Sequence, residues 1–261
     1  MNTKKEEYSK GNENEVPKSA LITGANKGIG FETARQLLQK GFYVYIGTRH
    51  LKNGLVAVEK LKSEGLNNAQ AIQLDVTDDN SVKTAREEIG RKTQVLDVLI
   101  NNAGINGGAP YTALEAGTDQ FAAVFNTNVF GVARVTKNFI DLLQKSTEPR
   151  IVNVSSSVGS LSLQSDPDWQ AYHYAKYAVY GSSKAAMNMY TIHLAYELRD
   201  TAFKINAVCP GYTRTDFTNH NGGEVEEAGK RIIKYALIDQ NGPTGKFFSE
   251  ESNPETGEIS W

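Results

Sequence analysis

From residue 19 onward, short apolar runs alternate with longer segments of helical period, and this alternation constrains the fold more than any other feature of the chain. Seven runs stand out, at residues 20–23, 43–48, 69–74, 95–101, 150–155, 204–209 and 246–249. Runs that are apolar on both faces suit strands of a sheet covered on both sides. Between them, residues 29–39, 56–63, 81–91, 121–143 and 179–198 carry amphipathic patterns. Strand, helix and strand in repetition imply right-handed crossovers. The expected fold is therefore α/β, a single-domain, doubly wound parallel sheet of about seven strands with helices on both faces. Start signals agree, since Gly28 opens the first helix and Asp79 and Asn80 precede the third.

The chain of 261 residues shows no internal repeat, low-complexity tract or second composition regime, so one domain is expected over residues 18–261. Residues 1–17 are polar and mixed in charge and read as a flexible tail. A net charge of −2 gives no global field that would favour nucleic acid or an anionic membrane. No stretch approaches the ~18 apolar residues of a membrane span, and the amino-terminal residues lack the apolar centre of a signal peptide. One cysteine, Cys209, and four scattered histidines offer no metal-ligand spacing and no intrachain disulfide. The expectation is a cytoplasmic protein that binds neither nucleic acid, membrane nor metal, with Cys209 a buried, inert thiol.

The first apolar run leads directly into Thr23-Gly24-Ala25-Asn26-Lys27-Gly28-Ile29-Gly30 and then a helix. Glycines at such a turn let backbone approach a pyrophosphate, whose charge sits on the free N–H groups of the helix start. Nucleotide choice can be read further along. An acidic residue closing the second strand would accept hydrogen bonds from a ribose 2′-OH and repel a 2′-phosphate. No Asp or Glu lies between Phe42 and Lys52, where Arg49 stands instead, and Lys27 is expected to face the same corner. Two cations around one phosphate make charge-assisted contacts, so NADP(H) is the expected cofactor.

The spacing of the glycine loop resembles the T-G-x-x-x-G-x-G fingerprint of the short-chain dehydrogenase/reductase family. Further family motifs follow in order: Asn101-Asn102-Ala103-Gly104, Asn126-Thr127-Asn128, Asn153-Val154-Ser155-Ser156, Tyr180-Gly181-Ser182-Ser183-Lys184 and Pro210-Gly211. The resemblance implies a Rossmann-type fold and a set of roles. Asp75 and Val76 would meet the adenine, Asn102, Ala103 and Gly104 would line the adenosine side, and Pro210, Gly211, Thr213 and Thr215 would border the nicotinamide. Asn128, Ser156, Tyr180 and Lys184 would be catalytic, with Tyr180 protonating a carbonyl oxygen, Ser156 donating to the same oxygen and Asn128 holding a water. The stretch after Pro210, with Tyr212 and Phe217, would be a lid with glycine hinges, and Trp169 would join these aromatics around an apolar pocket.

Tyr180 and Lys184 are four apart on a helix and share one face. A nearby ammonium favours the phenolate, so Lys184 is expected to lower the Tyr180 pKa. A second Tyr-x-x-x-Lys match, Tyr172 and Lys176, lacks the small residues of the first and is expected on a surface segment. The 24 residues from Ser156 to Tyr180 exceed the usual family spacing, which resembles the carbonyl-reductase branch and favours a monomer, with a dimer or tetramer as alternatives. An NADPH-dependent carbonyl reductase acting on ketones, aldehydes or quinones is the leading expectation. An NADP-dependent secondary-alcohol dehydrogenase and a non-catalytic NADP-binding regulator are the alternatives.

Overall fold

In the computed structural model, which describes residues 17–261, seven strands pair in parallel into one sheet. They are β1 (Ser19–Thr23), β2 (Tyr43–Thr48), β3 (Ala69–Gln73), β4 (Val98–Asn101), β5 (Arg150–Val154), β6 (Lys204–Val208) and β7 (Phe247–Phe248), in spatial order β3-β2-β1-β4-β5-β6-β7. The tail expected over residues 1–17 lies outside the described residues except for Pro17. Successive residues of each strand face opposite layers, as the pleat requires. Ala20, Ile22, Val44 and Ile46 enter one apolar layer, and Leu21 and Tyr45 enter the other.

The described residues form eight α-helices, most of them covering the sheet: α1 (Gly28–Gln39), α2 (Leu51–Ser63), α3 (Asp79–Gly90), α4 (Thr118–Phe125), α5 (Gly131–Leu143), α6 (Leu161–Ser165), α7 (Ala178–Glu197) and α8 (Val225–Ala236). Leu37 of α1, Leu61 of α2 and Ile232 of α8 fill the first layer. Ile89 of α3, Phe139 of α5 and Ala195 of α7 fill the second. After β3 the chain crosses to the far side of β1 to form β4, so a crevice opens where the carboxyl ends of β1 and β4 diverge.

Several boundaries differ from the sequence expectation for local reasons. Helix α2 begins at Leu51, five residues early, because Gly54 is no breaker here. A Cβ at Gly54 would lie 2.6 Å from Thr48 Cγ2, so the missing side chain lets α2 lie close on the sheet. The cap of α3 is Asp78, ahead of Asp79 and Asn80, and its carboxylate accepts from the N–H groups of Asn80 (2.7 Å) and Ser81 (3.1 Å). The single helix expected over residues 121–143 is two, joined by a π-helical turn at Asn126–Phe130. Helix α8 is an element beyond those expected; it packs on α1, where Gly229 lies against Glu32 and Gln36 and Gln36 Nε2 donates to the Glu226 carbonyl at 2.9 Å.

Candidate active site

The crevice between β1 and β4 is floored by glycine. Gly24 and Gly28 hold φ of +65° and +57°, values that favour a residue without Cβ. A Cβ at Gly30 would lie 2.5 Å from Asn102 Nδ2, and one at Gly24 would lie 3.0 Å from Ala103 Cα. Asn102 Nδ2 donates to the carbonyls of Thr23 (2.9 Å) and Gly24 (3.1 Å), while the N–H groups of Asn102 and Ala103 donate to Thr23 Oγ1 at 3.0 Å. The loops after β1 and β4 are thus one unit. Lys27, at the start of α1, makes no side-chain cap, so the N–H groups around Gly28, Ile29 and Gly30 lack a side-chain acceptor and remain fit for an anion.

At the end of β2, Thr48 Oγ1 donates to Asn26 Oδ1 at 3.3 Å, and the exposed Arg49 follows with no ion pair among the described residues. Lys27 is not free beside it. Its Nζ lies 2.5 Å from Asp216 Oδ2, in the loop after β6, and this partner holds the Asp216 carboxyl below the usual range. Both side chains are exposed, so the pair contributes little to stability. Asp75 Oδ1 caps its own turn, accepting from the Thr77 N–H (2.9 Å) and Thr77 Oγ1 (2.7 Å), and Val76 is buried against Gly131.

Helix α7 brings Tyr180 and Lys184 to the mouth of β5. Lys184 is 4% exposed, and burial pushes its ammonium down to about 8. Its Nζ donates to the Val154 carbonyl at 2.7 Å and stands 5.5 Å from the centre of the Tyr180 ring. Tyr180 departs from expectation. Burial pushes its phenol well above the ordinary range, the Cys209 thiol adds to the rise, and the Ser156 hydroxyl acts the other way. Lys184 does not lower it, and its ammonium donates to the Val154 carbonyl instead. The phenol therefore stays protonated at neutral pH.

Ser156 opens a 3₁₀ turn, Ser157–Gly159, and its Oγ accepts from the Val158 N–H at 3.4 Å. Asn128 is fully buried in the π-turn. Its Oδ1 accepts from the Ile105 N–H (2.9 Å), and its Nδ2 donates to the Ile105 carbonyl (2.8 Å) and to Ser183 Oγ (3.0 Å), which donates in turn to the Tyr180 carbonyl (2.7 Å). A Cβ at Gly104 would lie 3.4 Å from Asn128 Oδ1 and 3.7 Å from Lys184 Nζ, so Gly104 borders the space between these two side chains.

Above the site, Pro210 accepts from Arg231, Gly211 holds a φ of +89°, and the buried Thr213 donates through Oγ1 to the Gly211 carbonyl at 3.0 Å. Thr215 touches the space over Gly28, and the Phe217 ring lies 5.4 Å from that of Tyr180. Asn106 Nδ2 donates to the Phe217 carbonyl at 3.4 Å, a contact that the sequence did not suggest. Gly222, at a φ of +111°, lets the loop pass close to its own start, since a Cβ there would meet the Tyr212 carbonyl at 2.4 Å. Trp169 and Tyr212 make no ring contact with Tyr180 among the described residues. Tyr172 and Lys176 lie outside α7, with the Lys176 ammonium 3.8 Å over the Tyr172 ring and donating to the Gln164 carbonyl. Cys209 is buried, and it is near enough to Tyr180 and Lys184 to act on both.

The family model for short chain dehydrogenases matches residues 18–225, and the chain belongs to this family of oxidoreductases. It is similar to (-)-isopiperitenone reductase of Mentha piperita, 36% identical over 312 aligned positions that cover 91% of this chain and 98% of that protein. It is also similar to (+)-neomenthol dehydrogenase of Arabidopsis thaliana, 34% identical, covering 92% and 99%. Among solved structures, an NADPH-bound carbonyl reductase from chicken fatty liver superposes with a TM-score of 0.81 at 27% identity, covering 94% of this chain and 99% of that one. The first alignment is longer than the 261 residues of this chain, so that relative carries segments absent here.

Proposed function

We propose that this protein is an NADPH-dependent carbonyl reductase acting on ketones, aldehydes or quinones of modest size, with Tyr180 as proton donor. The observation that carries the reading is geometric: the half-buried Tyr180 ring, with the Lys184 ammonium 5.5 Å from its centre and Ser156 beside it, stands at the open end of a glycine crevice. The crevice suits a dinucleotide, because Gly24 and Gly30 let the loops after β1 and β4 close on each other while the N–H groups at the start of α1 lack a side-chain acceptor. NADPH, when bound, supplies the hydride.

The protein's own residues supply the rest. The start of α1 from Asn26 to Gly30 would hold the pyrophosphate, and Arg49 would meet the 2′-phosphate, joined by Lys27 once it leaves Asp216. Asp75 keeps one carboxylate oxygen for the adenine beside Val76, and Asn102, Ala103 and Gly104 line the adenosine side. Pro210, Gly211, Thr213 and Thr215 border the nicotinamide. Lys184 would donate to the nicotinamide ribose, and Asn128 would hold a water near Gly104. Ser156 would donate to the substrate carbonyl oxygen while the Tyr180 proton moves to it. Oxidation of a secondary alcohol with NADP is the same chemistry reversed and is the alternative. A panel of carbonyl compounds tested for NADPH consumption checks the reading, and absence of turnover across ketones, aldehydes and quinones would sink it.

Cofactor choice gives a sharper test. One charge-assisted phosphate contact contributes on the order of 1.5–3 kcal/mol, so Arg49→Ala should raise KM for NADPH about ten-fold or more and leave NADH nearly unchanged. Equal losses with both cofactors would show that Arg49 does not read the 2′-phosphate. A cytoplasmic setting suits the single free thiol, and no helix among the described residues is long and apolar enough to cross a membrane. For assembly the reading is a monomer, on the extra residues between Ser156 and Tyr180. Phe130, Met189 and Tyr196 remain exposed, which makes pairing through α7 the alternative. Light scattering decides, and a mass near twice or four times 28.6 kDa would overturn the monomer.

A further inference from the structure

Between β5 and α7 runs a set of buried polar contacts that proton transfer does not use. Asn153 lies on β5 and Ser155 directly follows the strand, two residues on, and Asn188 and Thr191 are three apart on the helix. Asn153 Nδ2 donates to Thr191 Oγ1 at 2.9 Å, and Ser155 Oγ donates to Asn188 Oδ1 at 2.6 Å. Asn188 then reaches past Ser156, with its Nδ2 donating to the Gly159 carbonyl at 3.3 Å. Asn188 and Ser155 are 3% and 2% exposed, so water cannot replace either partner.

Between these anchors the Ser156 turn rests directly on helix backbone. A Cβ at Gly159 would lie 2.6 Å from Lys184 Cβ and 2.8 Å from the Lys184 carbonyl carbon. A Cβ at Gly181 would lie 3.0 Å from the Val158 carbonyl oxygen. Two glycines thus remove the side chains that would otherwise fix how far α7 slides along the turn, and van der Waals contact alone permits small shifts. Polar keys with directional bonds do not. Asn188 is also four residues beyond Lys184 and eight beyond Tyr180, on the same stripe of α7.

We propose that Asn188 is a positioning residue: by gripping Ser155 on one side of Ser156 and Gly159 on the other, it sets the Ser156 hydroxyl against Tyr180 and Lys184. It touches no reacting atom. Its effect on rate comes from the geometry it holds, and misplacement by about 1 Å at such a site lowers a rate by as much as ~10²-fold. The inference rests on the assignment of Ser156 and Tyr180 to the reaction.

Asn188→Leu, similar in volume and without polar atoms, removes both bonds. In the NADPH complex, amide hydrogen exchange at Gly159 and Ser160, whose N–H groups close the turn, should speed up by about ten-fold or more while β1 and β4 amides keep their protection. With the carbonyl substrate turned over fastest by the parent, kcat per NADPH-binding site should fall about 10- to 100-fold, with the NADPH dissociation constant within about two-fold of the parent. Asn188→Asp keeps the acceptor for Ser155 and should recover part of kcat. Should Asn188→Leu fail to fold, Ser155→Ala, which deletes one oxygen, carries the same test. Unchanged exchange at Gly159 and Ser160, or an unchanged kcat in a folded variant, overturns the proposal. Accelerated exchange in the variant beside a parent without turnover would instead fault the carbonyl-reductase reading.

Discussion

Tyr180→Phe should lower kcat by ~10²–10⁴-fold, the range that general-acid catalysis supplies, while folding and NADPH binding survive. The substitution removes one oxygen from a side chain that burial keeps protonated, so the lost quantity is the proton and not a charge. Tyr172→Phe is the control. Its ring lies under the Lys176 ammonium and outside α7, so kcat should change by less than about three-fold, far from the loss of a general acid. Rates for both variants beside NADPH titrations make the comparison. An inactive Tyr172→Phe next to a nearly normal Tyr180→Phe would move the reaction centre from α7 to the segment before it.

Lys184→Met should move activity and stability in opposite directions. The ammonium is buried with one carbonyl partner, and its pKa stands at about 8. Below pH 8 the folded and unfolded chains both carry this proton, and the full cost of burying the charge is present. Between about 8 and the unfolded value of ~10.4 the unfolded chain binds more protons, so this group's contribution to stability rises with pH through that window. Methionine, neutral and of similar length, avoids the cost. Below that window the variant should be more stable than the parent by on the order of 1–3 kcal/mol, less the lost hydrogen bond, and the advantage should fade as the window is crossed. Its kcat should fall by ~10²-fold or more with weakened NADPH binding. Thermal melts at the two ends of the window give the sign. A variant less stable than the parent at neutral pH would mean that the Val154 bond outweighs desolvation.

What could be read from the sequence was local. The glycine loop follows β1 within one residue, and its tie to Asn102 depends on strands whose order the crossovers dictate. Tyr180 and Lys184 share a helix, so their spacing alone put them on one face. Helix α8 escaped because the glycines before and within it, Gly222, Gly223 and Gly229, read as a loop and masked the period that buries Ala228, Ile232, Ile233, Tyr235 and Ala236. The pair of Lys27 and Asp216 escaped for another reason, since 189 residues separate them and only the folded sheet brings their loops together. The rise of the Tyr180 pKa was hidden because burial is a property of the whole fold, whereas the neighbouring ammonium was visible in the motif.

The π-turn at Asn126–Phe130 makes chain length itself part of the site. Such a turn is an α-turn with one residue added. Deleting any single residue there would let α4 and α5 run on as one regular helix, with the wide turn lost and the residues inside it turned to new directions. Helix α5 cannot give way, because Val135, Phe139 and Leu142 are locked into the sheet. The change would fall on Asn128 inside the turn, and its amide would swing off both backbone atoms of Ile105. A one-residue deletion in this turn is therefore more damaging than replacing the exposed Phe130. Natural variation within it should appear as exchanges of residue type and almost never as gaps.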